Sequence, residues 1–96
     1  MRLLIAEDEK SLAKALGVIL EKSGYSADQV YDGISVLEYL ETGNYDGMIL
    51  DIMMPGMDGL TVLRKIREQG SRLPVLLLTA KAEVDDKVEG LDSGAN

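Results

Sequence analysis

Three places in the 96-residue chain set oxygen-bearing side chains at the end of a short apolar run. The run at 3–6 leads into Glu7, Asp8 and Glu9, the run at 48–50 into Asp51, and the run at 75–78 into Thr79. A carboxylate taken out of water is costly unless it is paired or bound to metal. Asp51, ending a core-like segment just before the Pro55-Gly56 turn, should therefore meet something. If the first and third of the chain's strands are neighbours, Glu7, Asp8 and Asp51 converge, and like charges repel until a cation neutralises them. A hard divalent ion fits such a crevice. Mg²⁺ takes oxygen ligands, usually one or two carboxylates with waters and a phosphate oxygen completing its octahedron.

Taken singly, each residue has a plainer explanation. Asp51 can start the turn that follows it. Glu7 and Asp8 can be acids set against the dipole of the next helix. Thr79 can simply be a β-former, Lys81 a solvated loop residue, and Met53, Met54 and Met57 adaptable packing. The joint pattern is what points to chemistry. The bulk composition agrees, with 17 acidic against 10 basic residues giving a net charge of -7. No Lys/Arg cluster is present, so direct contact of this segment with nucleic acid or an anionic membrane is not expected. Cysteine and histidine are both missing, which removes thiolate chemistry, imidazole ligands and disulfides. The apolar runs are too short for a membrane span or signal-peptide core, and a cytoplasmic address is compatible with all of this.

The elements that would position these residues follow from hydrophobic period. Runs of about four apolar residues bounded by turns read as strands buried on both faces of a parallel sheet. Between them, Leu12, Leu16, Ile19 and Leu20 recur at helical spacing before Gly24, and Val36, Leu37 and Leu40 do so before Gly43. Leu60, Leu63 and Ile66 follow Asp58, an N-cap, and stop before Gly70. Val84, Val88 and Leu91 form a last stripe, with Glu83 and Lys87 one turn apart and Gly94 as cap. Residues 26–31 read as an edge strand, because Asp28 and Gln29 interrupt the apolar pattern. Strand and helix alternate four times, with no linker or repeat. One α/β domain with a doubly wound parallel sheet is expected, and ligands of such sheets bind where the strand order reverses.

The chain resembles the receiver domain of two-component response regulators over essentially its whole length. The resemblance rests on "LLIAEDE", "DGMILDIMMPGMDGL", "PVLLLTA" and "GLDSGAN". It implies a flavodoxin-like fold in which Asp51 accepts a phosphoryl group from a phosphohistidine of a sensor histidine kinase. Glu7, Asp8 and Asp51 would hold Mg²⁺ with the backbone carbonyl of Met53, and Thr79 would be the switch hydroxyl. Such a domain assists its own phosphorylation and dephosphorylation but is a regulatory phosphoacceptor, not an enzyme. The motifs look most like receivers attached to winged-helix DNA-binding domains, which implies a role in transcription.

In that family the sequence after "GAN" continues into a fifth strand with an aromatic switch residue and a phosphoryl-pairing lysine, then a fifth helix. On this comparison residues 1–96 are a receiver incomplete at its C-terminus. Strand 4 would be an apolar edge open to pairing. The alternative reading is accordingly a structural or assembly-forming truncated receiver, a homo-oligomer through strand 4 or by strand exchange, with impaired or no signalling. Two other classes fit less well. A haloacid-dehalogenase type phosphatase wants a second acid where Met53 stands, and a nucleotide-binding domain wants a glycine-rich loop where "EDEKSLAK" stands.

Overall fold

The computed structural model describes residues 1–78. Thr79, Lys81 and the helix expected around Val84, Val88 and Leu91, with its Glu83–Lys87 pair and Gly94 cap, lie outside the described residues. Within them the chain runs β1 (Arg2–Ala6), α1 (Lys10–Lys22), β2 (Ser26–Val30), α2 (Gly33–Thr42), β3 (Gly47–Asp51), α3 (Gly59–Glu68) and β4 (Val75–Leu78). The strands form one sheet in the order β2-β1-β3-β4, every pair parallel. From β1 the chain moves out to β2, then returns past β1 to β3. The order therefore reverses between β1 and β3, the pair whose ends carry the acids.

Parallel register places paired residues on one face, and alternation along each strand divides the sheet in two. Leu4, Ala6, Met48, Leu50, Val75 and Leu77 pack with Val36 of α2 and Val62, Leu63 and Ile66 of α3 in one core. Ile5, fully buried, points the other way towards α1. There the helix comes close because Gly17 has no side chain. A Cβ at Gly17 would meet the Gln29 amide at 2.8 Å and the Ile5 Cδ1 at 3.8 Å.

Helix ends follow local chemistry. Asp58 caps α3, its carboxylate accepting from the Thr61 N–H at 2.9 Å. Asp32 caps α2 in the same way through the Ser35 N–H at 2.8 Å. Helices α1 and α3 stop at glycines in the left-handed region, Gly24 (φ 92°) and Gly70 (φ 89°), where other residues are strained. Gly43 ends α2 for another reason. Its backbone is extended, and the Tyr45 ring lies 2.6 Å from where its Cβ would be.

The polar interruption in β2 has a structural use at the edge. Asp28 accepts from Arg2 at 2.7 Å and from the Tyr45 hydroxyl at 2.7 Å, while the guanidinium lies 4.8 Å from the centre of the Tyr45 ring. The Tyr45 hydroxyl and the Arg2 guanidinium hold the Asp28 carboxyl below its usual range. Burial, with Asp28 beside it, pushes the Tyr45 phenol up to about 12. This cluster ties β1 and β2 to the start of β3 at the N-terminal end of the sheet.

Candidate functional site

At the opposite end of the sheet the backbone ladder continues one residue beyond the strands. The Glu7 N–H donates to the Val30 carbonyl at 3.1 Å, and the Ile52 N–H to the Leu78 carbonyl at 3.0 Å. These bonds fix Glu7 just past the end of β1 and Asp51 at the end of β3, the two central strands. Both are 5 % exposed. Alternation puts them on the α1 face, after Ile5 and Ile49.

Each carboxylate accepts from the amide two residues ahead: Glu7 Oε2 from the Glu9 N–H at 2.9 Å, Asp51 Oδ1 from the Met53 N–H at 3.2 Å. The turn-starting role that Asp51 could have alone is thus real, and it coexists with the convergence. Glu7, Asp8 and Asp51 each offer a carboxylate oxygen, and the three lie within 4.8 Å of one another. Glu7 and Asp8 are not first-turn acids of α1, which starts at Lys10 and has none. Asp8 is exposed at the rim while Glu7 turns inward.

Electrostatics records the strain of this convergence. Burial, with Asp8 and Asp51 nearby, pushes the Glu7 carboxyl up to about 7, against the Glu9 N–H that favours its charged form. Burial also raises Asp51 above the usual carboxylate range, against the Met53 N–H, and Asp8 adds to the rise. A divalent cation would relieve both. The donor set suits it, since all three groups are hard oxygens. Around one Mg²⁺, ligand oxygens stand about 3 to 4 Å apart, so a small closure of these side chains would bring them onto one ion.

The acids line a cavity of about 480 Å³ together with Leu12, Leu16 and Leu78. A second hollow, of about 540 Å³, lies at the far end of the strands between the C-terminal ends of α2 and α3, away from the point where strand order reverses. Met53 borders the acidic cavity and is 67 % exposed. It does not serve as packing, whereas Met54, buried, and Met57, half-buried, do.

Sequence reasoning passed over two residues beside this site, Gly33 and Gly59. A Cβ on Gly59 would overlap the carbonyl oxygen of Asp51 and come within 2.9 Å of the Ile52 Cα. A Cβ on Gly33 would overlap the carbonyl of Met57. Both follow an aspartate, in the Asp-Gly steps at 32–33 and 58–59, of which only Asp58 was read, as an N-cap.

Comparison with known proteins matches this arrangement to a family. The model of the response regulator receiver domain covers residues 3–96. The transcriptional regulatory protein DltR of Streptococcus agalactiae is 52% identical over all 96 residues, and TctD of Salmonella typhimurium 48%. The chain spans 43% of the length of each. Among solved structures, the Francisella response regulator 1452 receiver domain superposes with a TM-score of 0.92 at 35% identity, covering 99% of this chain and 78% of that one. TrrA of Thermotoga maritima, solved in complex with Mg²⁺-BeF, gives 0.87 at 34% identity, covering 99% and 81%. The four-stranded parallel sheet, its order and the acidic cluster at the reversal point are those of a receiver, and the chain belongs to the response regulator receiver domain family of two-component systems.

Proposed function

We propose that the chain is a phosphoacceptor module in which Asp51 takes a phosphoryl group from a sensor histidine kinase. The observation that carries this reading is Asp51 itself, buried at the end of a central strand, within 4.8 Å of the oxygens of Glu7 and Asp8. Stability alone gives no reason for three acids there.

Glu7, Asp8 and Asp51, with the Met53 carbonyl, would hold Mg²⁺. When bound, the ion neutralises the acids and the incoming phosphoryl oxygens, which is most of what phosphoryl transfer requires. The chain's own residues do the rest. The Met53 N–H holds one Asp51 oxygen and leaves the other for in-line attack on phosphorus. A new O–P bond forms as the bond from phosphorus to the donor imidazole nitrogen breaks, and that nitrogen takes up a proton. The acyl phosphate adds acceptor oxygens at a point where β3 pairs directly with β4. Thr79, the next residue after β4, is proposed as the hydroxyl that answers this change. Water attack on the acyl phosphate, assisted by the same crevice, would reset the state.

The relatives are transcriptional regulators by name. In a longer protein of that kind, the output we propose is control of a winged-helix DNA-binding domain, in the cytoplasm. No helix among the described residues is long and apolar enough to cross a membrane. A second reading, favoured by Leu76 being 54 % exposed on β4, is self-association through that strand.

The test is mass spectrometry after incubation with Mg²⁺ and acetyl phosphate. The expected result is one hydroxylamine-sensitive phosphoryl group on Asp51, absent in Asp51→Asn. A wild-type chain that stays unmodified, or a label that survives in Asp51→Asn, would overturn the assignment.

A further inference from the structure

Helices α2 and α3 begin in the same way. Asp32-Gly33-Ile34-Ser35 and Asp58-Gly59-Leu60-Thr61 each pair an aspartate cap with a hydroxyl residue three positions on. The Ser35 hydroxyl donates to Asp32 Oδ2 at 3.0 Å, and the Thr61 hydroxyl to Asp58 Oδ2 at 3.1 Å. Between cap and hydroxyl stands a glycine. Neither glycine has a positive φ, unlike Gly24, Gly56 and Gly70. Backbone conformation therefore does not call for glycine at 33 or 59, and a helix gains nothing from it there.

What the missing side chain supplies is contact. Gly59 lies against the Asp51 carbonyl, and its N–H donates to the Ile52 carbonyl at 2.8 Å. Gly33 lies against the Met57 carbonyl, and a Cβ there would also stand 2.8 Å from the Met57 Cβ. Both neighbours are backbone, which cannot rotate aside. The short loop from Ile52 to Asp58 is thus seated on β3 at one end and stopped by α2 at the other. That loop carries Met53, whose N–H orients Asp51.

We propose that Gly33 is a positioning residue for the cation site, acting from another helix by setting where the Met57 end of this loop rests and so where the Met53 amide and carbonyl stand. It touches neither cation nor phosphoryl group. The inference rests on the reading that Glu7, Asp8, Asp51 and Met53 hold Mg²⁺. Gly33→Ala should push the loop away from α2 and weaken Mg²⁺ binding about tenfold or more, the usual scale for a group that orients a ligand from behind. Loss of stability alone would not do this. The comparison is Ile66→Val or Ile66→Ala, in α3 at the other end of the sheet and buried, whichever matches Gly33→Ala in Tm.

Linkage supplies a second measurement on the wild-type chain. If α2 and the loop are coupled, Mg²⁺ must in turn protect the first-turn amides of α2 from hydrogen exchange. Isothermal titration with Mg²⁺ and exchange with and without it test both arms. Weakened binding in Gly33→Ala against unchanged binding in the Ile66 variant, with slower exchange around Ser35, is the expected result. Equal affinities in the two variants, or exchange changes confined to 7–9 and 51–53, would overturn the positioning role and leave the cation site standing. If Gly33→Ala does not fold, the exchange arm decides. A wild-type chain that takes up no Mg²⁺ overturns the cation reading together with this one.

Discussion

At the scale of single residues, the crevice trades stability for charge. Glu7 has a folded pKa of about 7 against an ordinary 4.5, so the folded state holds its proton more tightly than the unfolded chain does. The sign follows directly: this contribution to stability is full below pH 4.5 and is lost as pH rises through about 7. Without divalent cations, thermal melts should show Tm falling between pH 5 and 8. Cation binding needs the ionised acids, so Mg²⁺ affinity should rise with pH and weaken about tenfold per unit below pH 7, measurable by titration calorimetry. Glu7→Gln separates the two effects. It keeps the shape and removes the charge, so Tm in the absence of Mg²⁺ should rise by about 4 °C or more. The Mg²⁺-induced rise in Tm should disappear. A variant less stable than wild type at pH 8 would show that Glu7 is held ionised by partners other than a cation.

At the scale of elements, period and caps were enough to place every strand and helix among the described residues, because a short apolar run and a 3.6-residue stripe leave different marks in sequence. Residues 26–31 show the margin: β2 ends at Val30, and Asp28 and Gln29, which only looked like edge polarity, are partners of Arg2, Tyr45 and the Gly17 gap. The convergence of Glu7, Asp8 and Asp51 was legible, since the polar residues that follow apolar runs can be read directly from the sequence. Gly33 and Gly59 were not, because the need for glycine there arises from backbone close approach between segments distant in sequence. Met53 taken singly reads as packing and its carbonyl enters only through the family resemblance; its side chain is exposed, and its N–H donates to Asp51. The caps give a direct test of element energetics. Asp58→Ala removes the acceptor for the Thr61 N–H and hydroxyl and should cost about 1 kcal/mol, read from urea melts with an unchanged m-value. Asp32→Ala should behave alike. A cost near zero for Asp58 would mean water replaces the cap and the loop ahead of α3 is held by Gly59 alone.

At the scale of the whole molecule, the two faces of the sheet are unequally covered. On the face towards α2 and α3, Val75 and Leu77 are 1 % and 6 % exposed. On the α1 face, α1 packs against β1 and β2, and beyond it Leu76 is 54 % exposed, beside a half-buried Ile49. Ile19 and Leu12 on α1 are exposed as well, at 60 % and 40 %. β4 ends the sheet order among the described residues, and an apolar strand at a sheet edge is a template for pairing with another chain. If the self-association proposed above runs through β4, light scattering after size exclusion should show concentration-dependent association of the 96-residue chain. Leu76→Lys should shift the population towards monomer, since lysine on an edge opposes pairing and its stem still covers apolar surface. Its Tm at low concentration should stay within about 0.5 kcal/mol equivalent of wild type, because the position is exposed. Association unchanged by Leu76→Lys would exclude β4 as the contact, and a large loss of Tm in the monomer would mean that Leu76 is covered within its own chain.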